Sequence, residues 1–300
     1  MYLTGSVVRV DGIGFALLAG CLLGALTVLI RLGLRRAPDV TASAFVITFV
    51  GMLVTVAVAI GIGVRGVDVQ LGELWPFLVI GIFVPGTARL LYVQAVRDAG
   101  PSRAAILVGT APILSVLIAV AVFKETIGAA IVVGTLLIVA GGAALVRERV
   151  RPKEFKVVGL FLALFVAFLI AIRDNVARSV TSGNELEPVL EIAAVLATAS
   201  VTAFIYLLIG SRGGTAFGRS WRVGLVFLPM GVVAGFASLA VFEALERGPV
   251  TVVAPLVATQ ALWVVVISKL VVGNSEAITT RVVAAALSVV TGGALVGMGQ

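Results

Sequence analysis

Gly86–Val96 reads GTARLLYVQAV, and Gly235–Leu245 reads GFASLAVFEAL. Gly86, Ala88, Leu90, Ala95 and Val96 of the first stretch correspond to Gly235, Ala237, Leu239, Ala244 and Leu245 of the second. Each stretch is soon followed by a proline, Pro101 or Pro249, that opens a new apolar run. Each half of the chain then closes on Glu125 or Glu276 and, sixteen residues later, on Gly141-Gly142 or Gly292-Gly293. Self-similarity at half the chain length means two copies of one structural unit, so the fold is to be sought as a pair.

Outward from this repeat the chain is apolar almost everywhere. Hydrophobic residues make up 60% of the 300 residues, charged residues 12%, and the mean hydropathy is +1.19. A soluble domain is nearer half apolar and a quarter charged, so lipid must act as the solvent for much of this surface. A helix needs roughly 20 apolar residues to cross a bilayer. The spacing predicts spans at 12–34, 40–63, 74–97, 101–123 and 127–146, then at 157–178, 188–209, 222–245, 249–271 and 277–298. Alternating strand patterns of the membrane-barrel kind are absent from the sequence. The expected fold class is an all-α membrane protein of ten helices in two five-helix repeats.

The stretch RERVRPKEFK at 147–156 is the one strongly charged linker, and it separates a first unit at 12–146 from a second at 157–298. With five spans per unit, the second copy must cross the membrane in the opposite sense, which makes the repeat an inverted one. Ten spans also put both termini on one side. That side carries five basic residues, Arg9, Arg65, Lys124, Arg178 and Arg247. The other side carries fourteen, among them Arg97, Arg103 and the linker cluster, while Arg31, Arg89 and Arg173 fall inside spans. Lysine and arginine concentrate on cytoplasmic loops, so the termini are expected to be extracytoplasmic. The net charge of +7 is then a topological signal and a contact for anionic headgroups. No basic domain stands clear of the bilayer to bind nucleic acid.

The chain has no histidine and a single cysteine, Cys21, inside the first span. The commonest metal ligand and general base are therefore missing. No internal disulfide or cysteine-based metal site can form, no cofactor is implied, and no nucleophile–base pair for an intramembrane enzyme is evident. Glu125 and Glu276 each open a helix, where a carboxylate favours the positive end of the dipole, and capping is their expected role. The glycine-rich 210–218 segment lacks the strand and the Gly-Lys-Ser/Thr of a phosphate loop.

Five-plus-five inverted repeats, Pro101 and Pro249 opening the fourth and ninth spans, Lys124-Glu125 and the paired glycines together resemble the EamA-type transporters of the drug/metabolite transporter superfamily. The resemblance covers roughly residues 12–298, and departs from the usual Gly-Glu where Asn274-Ser275 precedes Glu276. It implies a transporter of small metabolites, with a central cavity lined by spans 1, 3, 4, 6, 8 and 9 and with spans 5 and 10 set aside.

Against this frame the polar residues inside spans are the candidate site. Arg89 lies about eight residues from the end of span 3, roughly 12 Å deep at the helical rise. Burying a cation there costs on the order of 3 kcal/mol, so it must face a partner such as Asp174 or a ligand's carboxylate or phosphate. Its counterpart in the repeat is Ser238. Tyr92, Thr110, Thr259, Gln260 and Trp263 complete the candidate substrate-binding set. Pro112 and Pro255 are expected to kink spans 4 and 9 and free backbone carbonyls. Arg173, Asp174 and Asn175 near the end of span 6, with Gln94 and Glu243 near the membrane edges, are the coupling or gating candidates. The expected function is alternating-access transport of a small polar or amphipathic metabolite, an amino acid or related organic solute, in the export direction. A flippase-like or drug-efflux carrier for hydrophobic or lipid-linked compounds is the alternative. The partners expected are the solute and the lipid bilayer of the plasma membrane, with the chain a monomer or homodimer.

Overall fold

The computed structural model describes residues 10–61, 71–111, 113–114, 118, 129–146, 155–181, 188–210, 216–247, 253, 256–271 and 279–298. Among these it is built of helices, with no strand. They are α1 (Val10–Arg36), α2 (Val40–Gly61), α3 (Leu71–Gly81), α4 (Ala88–Ala99), α5 (Pro101–Val108), α6 (Ala129–Val146), α7 (Val158–Thr181), α8 (Pro188–Gly210), α9 (Ala216–Arg247), α10 (Gln260–Val271) and α11 (Thr280–Met298). A π-helical turn, Ile82–Thr87, joins α3 to α4. Among the described residues five stretches are long and apolar enough to cross a membrane: Gly12–Arg36, Val40–Gly61, Leu74–Ala99, Val189–Gly210 and Val223–Ala244. Shorter apolar helices run at Val158–Arg173, Leu256–Val271 and Thr280–Leu295.

Local chemistry sets the helix boundaries. Asp39 caps α2, its Oδ1 accepting from the Ala42 N–H and the Thr41 hydroxyl, both at 3.0 Å. Gly100 closes α4 with φ 91°, a conformation that β-carbon residues avoid, and Pro101 then starts α5 at its first position. α9 begins at Ala216, six residues before the expected span at 222.

Helices in lipid are held by close packing rather than by hydrophobic transfer, and glycines mark where backbones meet. A Cβ at Gly235 would lie 2.8 Å from the Val54 Cβ, and one at Gly231 would collide with Val50, so α9 seats directly on α2. Gly20 and Gly24 of α1 face Leu256–Thr259 and Gln260–Val264 in the same way. Gly293 has open space around its Cβ position, and it is Gly292 that packs, against Gly134 and Ile138 of α6.

These contacts also fix directions. α1 is parallel to α10 and antiparallel to α9, whose Phe227 and Met230 meet Gly33 and whose Arg247 meets Gly12. α2 is parallel to α9 and antiparallel to α8, with Thr41 beside Gly210 and the Phe45 and Phe204 rings 5.5 Å apart. α8 is parallel to α3–α4, since Val195 meets Phe77 and Ile80 while Tyr206 meets Thr87. α7 starts against the end of α4, Gly159 on Asp98 and Ala99. α6 and α11 pack mainly on each other, antiparallel, and reach the rest through α5 and α10.

Candidate functional site

Span 3 carries the first break in helical regularity. Between α3 and α4, Val84 takes φ −137° and ψ 115°, ahead of Pro85, which has no N–H to continue the ladder. The Thr87 hydroxyl returns to the Ile82 carbonyl at 3.0 Å and meets the Tyr206 hydroxyl of α8 at 3.1 Å. This irregular turn was not anticipated from the sequence, although Val-Pro-Gly inside an apolar run was its available signal.

Spans 4 and 9 carry two further breaks, and these match each other. α5 ends at Val108; the Thr110 N–H then bonds to the Leu107 carbonyl at 3.1 Å, and its hydroxyl to the same carbonyl at 2.6 Å. In the second half the Thr259 N–H bonds to the Leu256 carbonyl at 3.2 Å and its hydroxyl to that carbonyl at 2.5 Å. Three-residue bonds tighten the backbone and take the chain out of the α-helical ladder. The described backbone is tightened at both threonines. Pro112 and Pro255, where the kinks are expected, lie outside the described residues.

α1 brings these parts together. A Cβ at Gly20 would lie 2.7 Å from the Thr259 Oγ1, and one at Gly24 would lie 2.6 Å from the Trp263 Cβ and 3.2 Å from the Gln260 carbonyl. One turn further, Val28 packs with Ala105 of α5 and Val264 of α10. Thr27 beside it donates to the Leu23 carbonyl at 2.8 Å and meets the Tyr92 hydroxyl at 2.7 Å. With the threonine proton committed to Leu23, Tyr92 is the donor in that pair. Arg89 stands one turn before Tyr92 on the same face of α4. Its Nε is fully buried, and no hydrogen bond or ion pair reaches the side chain among the described residues.

Other candidates are accounted for differently. Ser238, the counterpart of Arg89, is half-buried and donates to the Ala234 carbonyl of its own helix at 2.9 Å. Gln260 is half-buried and Trp263 is exposed. Gln94 is tied to Asp98 at 2.5 Å, and Asp98 in turn pairs with Arg97 at 3.2 Å. Glu243 pairs with Arg247 at 2.6 Å, and the Arg247 guanidinium lies 4.5 Å from the centre of the Phe15 ring. Arg173 is half-buried and engaged with a neighbour. The Asp174 and Asn175 side chains, Lys124-Glu125, Glu276 and most of the 147–156 linker lie outside the described residues.

The sequence reading missed Thr27, Arg31, Asp98 and Glu191. Arg31 is buried and donates to the Arg97 carbonyl at 2.7 Å, joining α1 to α4. Arg103, counted with the cytoplasmic loops, is 1% exposed. Pro101 starts α5 so promptly that Arg103 falls within its first turn, and it therefore contributes no headgroup contact.

Residues 11–147 match the model of the EamA-like transporter family, of the drug/metabolite transporter superfamily. The members of that family are transporters, and the apolar helices together with this match make the chain an integral membrane protein. One solved crystal structure is similar over 96% of this chain and 96% of its own, with a TM-score of 0.64. At 22% identity that likeness shows the fold alone. No curated protein matches the chain.

Proposed function

We propose that the chain is a ten-span secondary transporter whose units at 12–146 and 157–298 form an inverted repeat around one midplane site. Helix directions support the inversion: α1 runs opposite to α7, α2 opposite to α8, and α3–α4 opposite to α9. The packing partners follow the same rule, since α1 lies on α9 and α10 much as α7 lies on α4 and α5. Such a pair has two related packings, one open to each side.

The observation that carries the functional reading is the Arg89 guanidinium, unpaired among the described residues, beside the Thr27–Tyr92 hydroxyl pair and with spans broken at Thr110 and Thr259. Discontinuous helices at the midplane expose backbone groups to a ligand. A planar guanidinium takes a carboxylate or phosphate with two parallel hydrogen bonds. The solute is therefore a small metabolite with an anionic group held by Arg89, and the Tyr92 oxygen can accept a hydrogen bond from a donor elsewhere on the solute. Thr110, Thr259 and Gln260 would line the opposite wall. Export is the proposed direction and the termini are proposed to be extracytoplasmic.

Purified chain in liposomes, loaded in turn with amino acids, dicarboxylates, sugar phosphates and neutral sugars, tests the reading. Saturable counterflow is expected with at least one anionic class and with no neutral sugar. Flux that never saturates would make the chain a channel.

A further inference from the structure

Glu191 is an acid that the transport reading leaves unused. It sits in the first turn of α8, 7% exposed, within the apolar Val189–Gly210 stretch. No hydrogen bond or ion pair reaches it among the described residues. One turn on, Val195 packs against Phe77 and Ile80 of α3. Residues four apart share a helix face, so Glu191 belongs to the face of α8 turned toward α3. That face continues as hydroxyls: Thr198 against Gly81, Thr202 against Gly86, and Tyr206 on the Thr87 hydroxyl.

The neighbouring elements offer it little compensation. α2 and the Ile82–Thr87 turn contain no charged residue. On α9 the charges at this end are Glu243 and Arg247, already paired with each other, and Glu246, whose side chain lies outside the described residues. The one acid of α3, Glu73, also has its side chain outside that set, as do Arg65, Asp68, Glu185 and Glu187 of the adjoining connections.

An ionisable group inside a span without a partner marks a proton or ion pathway. Here it also has a mechanical connection. Adding or removing its charge alters how the apolar face of α3 packs on α8. α3 is articulated through the Ile82–Thr87 turn to α4, and α4 carries Arg89 two residues beyond that turn.

We propose that Glu191 is a proton-binding site coupled to the anion site at Arg89. One proton passes from water to a carboxylate oxygen, the charge falls from −1 to zero, and the α3–α4 articulation shifts with it. The coupling takes its purpose from the transport reading, but the proton site can be tested without any solute. Dicyclohexylcarbodiimide adds to a protonated buried carboxyl to give a stable N-acylurea. With purified chain, the peptide containing Glu191 is expected to carry that adduct about tenfold more at about pH 6 than at about pH 8.5. In a Cys21→Ser background, a bimane fluorophore at Phe83→Cys, in the articulated turn, is expected to change emission between the same two pH values. Glu191→Gln should abolish that change. No adduct on Glu191 at either pH would overturn the proton site, and this arm needs no variant that must fold. An emission change that survives Glu191→Gln would overturn the coupling. Failure of the transport reading would appear in the counterflow experiment and move neither result.

Discussion

Ala88–Asp98 and Ala237–Arg247 occupy matching places in the two halves and differ in almost every polar residue. Both follow a glycine that touches a neighbouring helix, Gly86 on Thr202 and Gly235 on Val54. Both end against the start of another helix, Asp98 under Gly159 and Arg247 under Gly12. The chemistry inside this shared frame diverges. Arg89 stands where Ser238 stands, Tyr92 where Val241 stands, and Asp98 where Arg247 stands. Ser238 is satisfied by its own helix, whereas the Arg89 guanidinium has no partner among the described residues. Packing is what the repeat preserves, so the site is found where the repeat is broken.

The sharpest way to break this comparison is to exchange its two central residues for alanine. Arg89→Ala should weaken binding of an anionic solute by about 10- to 100-fold, the loss of charge-assisted hydrogen bonds of about 1.5–3 kcal/mol. Ser238→Ala should change it less than threefold or so, a loss of about 0.5 kcal/mol. Isothermal titration with the anion found by counterflow measures both. Equal effects would mean that the halves contribute alike.

The packing frame itself is tested by glycine substitution. Gly24→Val should destabilise by about 1–3 kcal/mol, because the new atoms meet backbone of α10 that cannot give way. Gly14→Ala, with nothing near its Cβ position, should stay within about 0.5 kcal/mol. Melting temperatures in detergent would compare them, and a tolerant Gly24 would remove the argument that α1 is seated on the broken span 9.

The two helix ends should differ in the same direction but less. Asp98 is buried and joins Gln94 to Arg97, so Asp98→Asn should cost about 1–3 kcal/mol. The Glu243–Arg247 pair is about a third exposed on each side, and Arg247→Gln should cost about 1 kcal/mol or less. Urea titrations of the two variants would rank them, and a larger loss at Arg247 would reverse the assignment of the buried end.

Much of this was legible in the sequence because it depends on period and composition. Apolar runs of about 20 residues locate the five membrane-capable stretches, and the Gly86 and Gly235 stretches align with each other without any knowledge of contacts. The deep arginine was legible too, since a cation inside an apolar run stands out by itself. What was not legible depends on partners distant in sequence. Thr27 matters because Tyr92, 65 residues away, meets its hydroxyl, and Arg31 because it reaches the Arg97 carbonyl. Glu191 does not stand out in the sequence because it lies near the start of an apolar run, and its burial comes only from the packing of α8. The kinks expected at Pro112 and Pro255 follow from a missing N–H that the sequence shows, whereas the bonds of the Thr110 and Thr259 hydroxyls to the carbonyls three residues back are visible only in the structure.

The central claim is that Arg89 is held for a solute and not for another side chain. An alternative partner inside a span is Asp174, near the end of span 6. Melting temperature and anion counterflow should be measured together on Arg89→Ala, Asp174→Asn and the double variant. The predicted result is that Arg89→Ala keeps its melting temperature and loses transport, and that adding Asp174→Asn restores nothing. Two destabilised single variants, with a double variant that recovers both stability and transport, would contradict it and make Arg89 half of a structural ion pair.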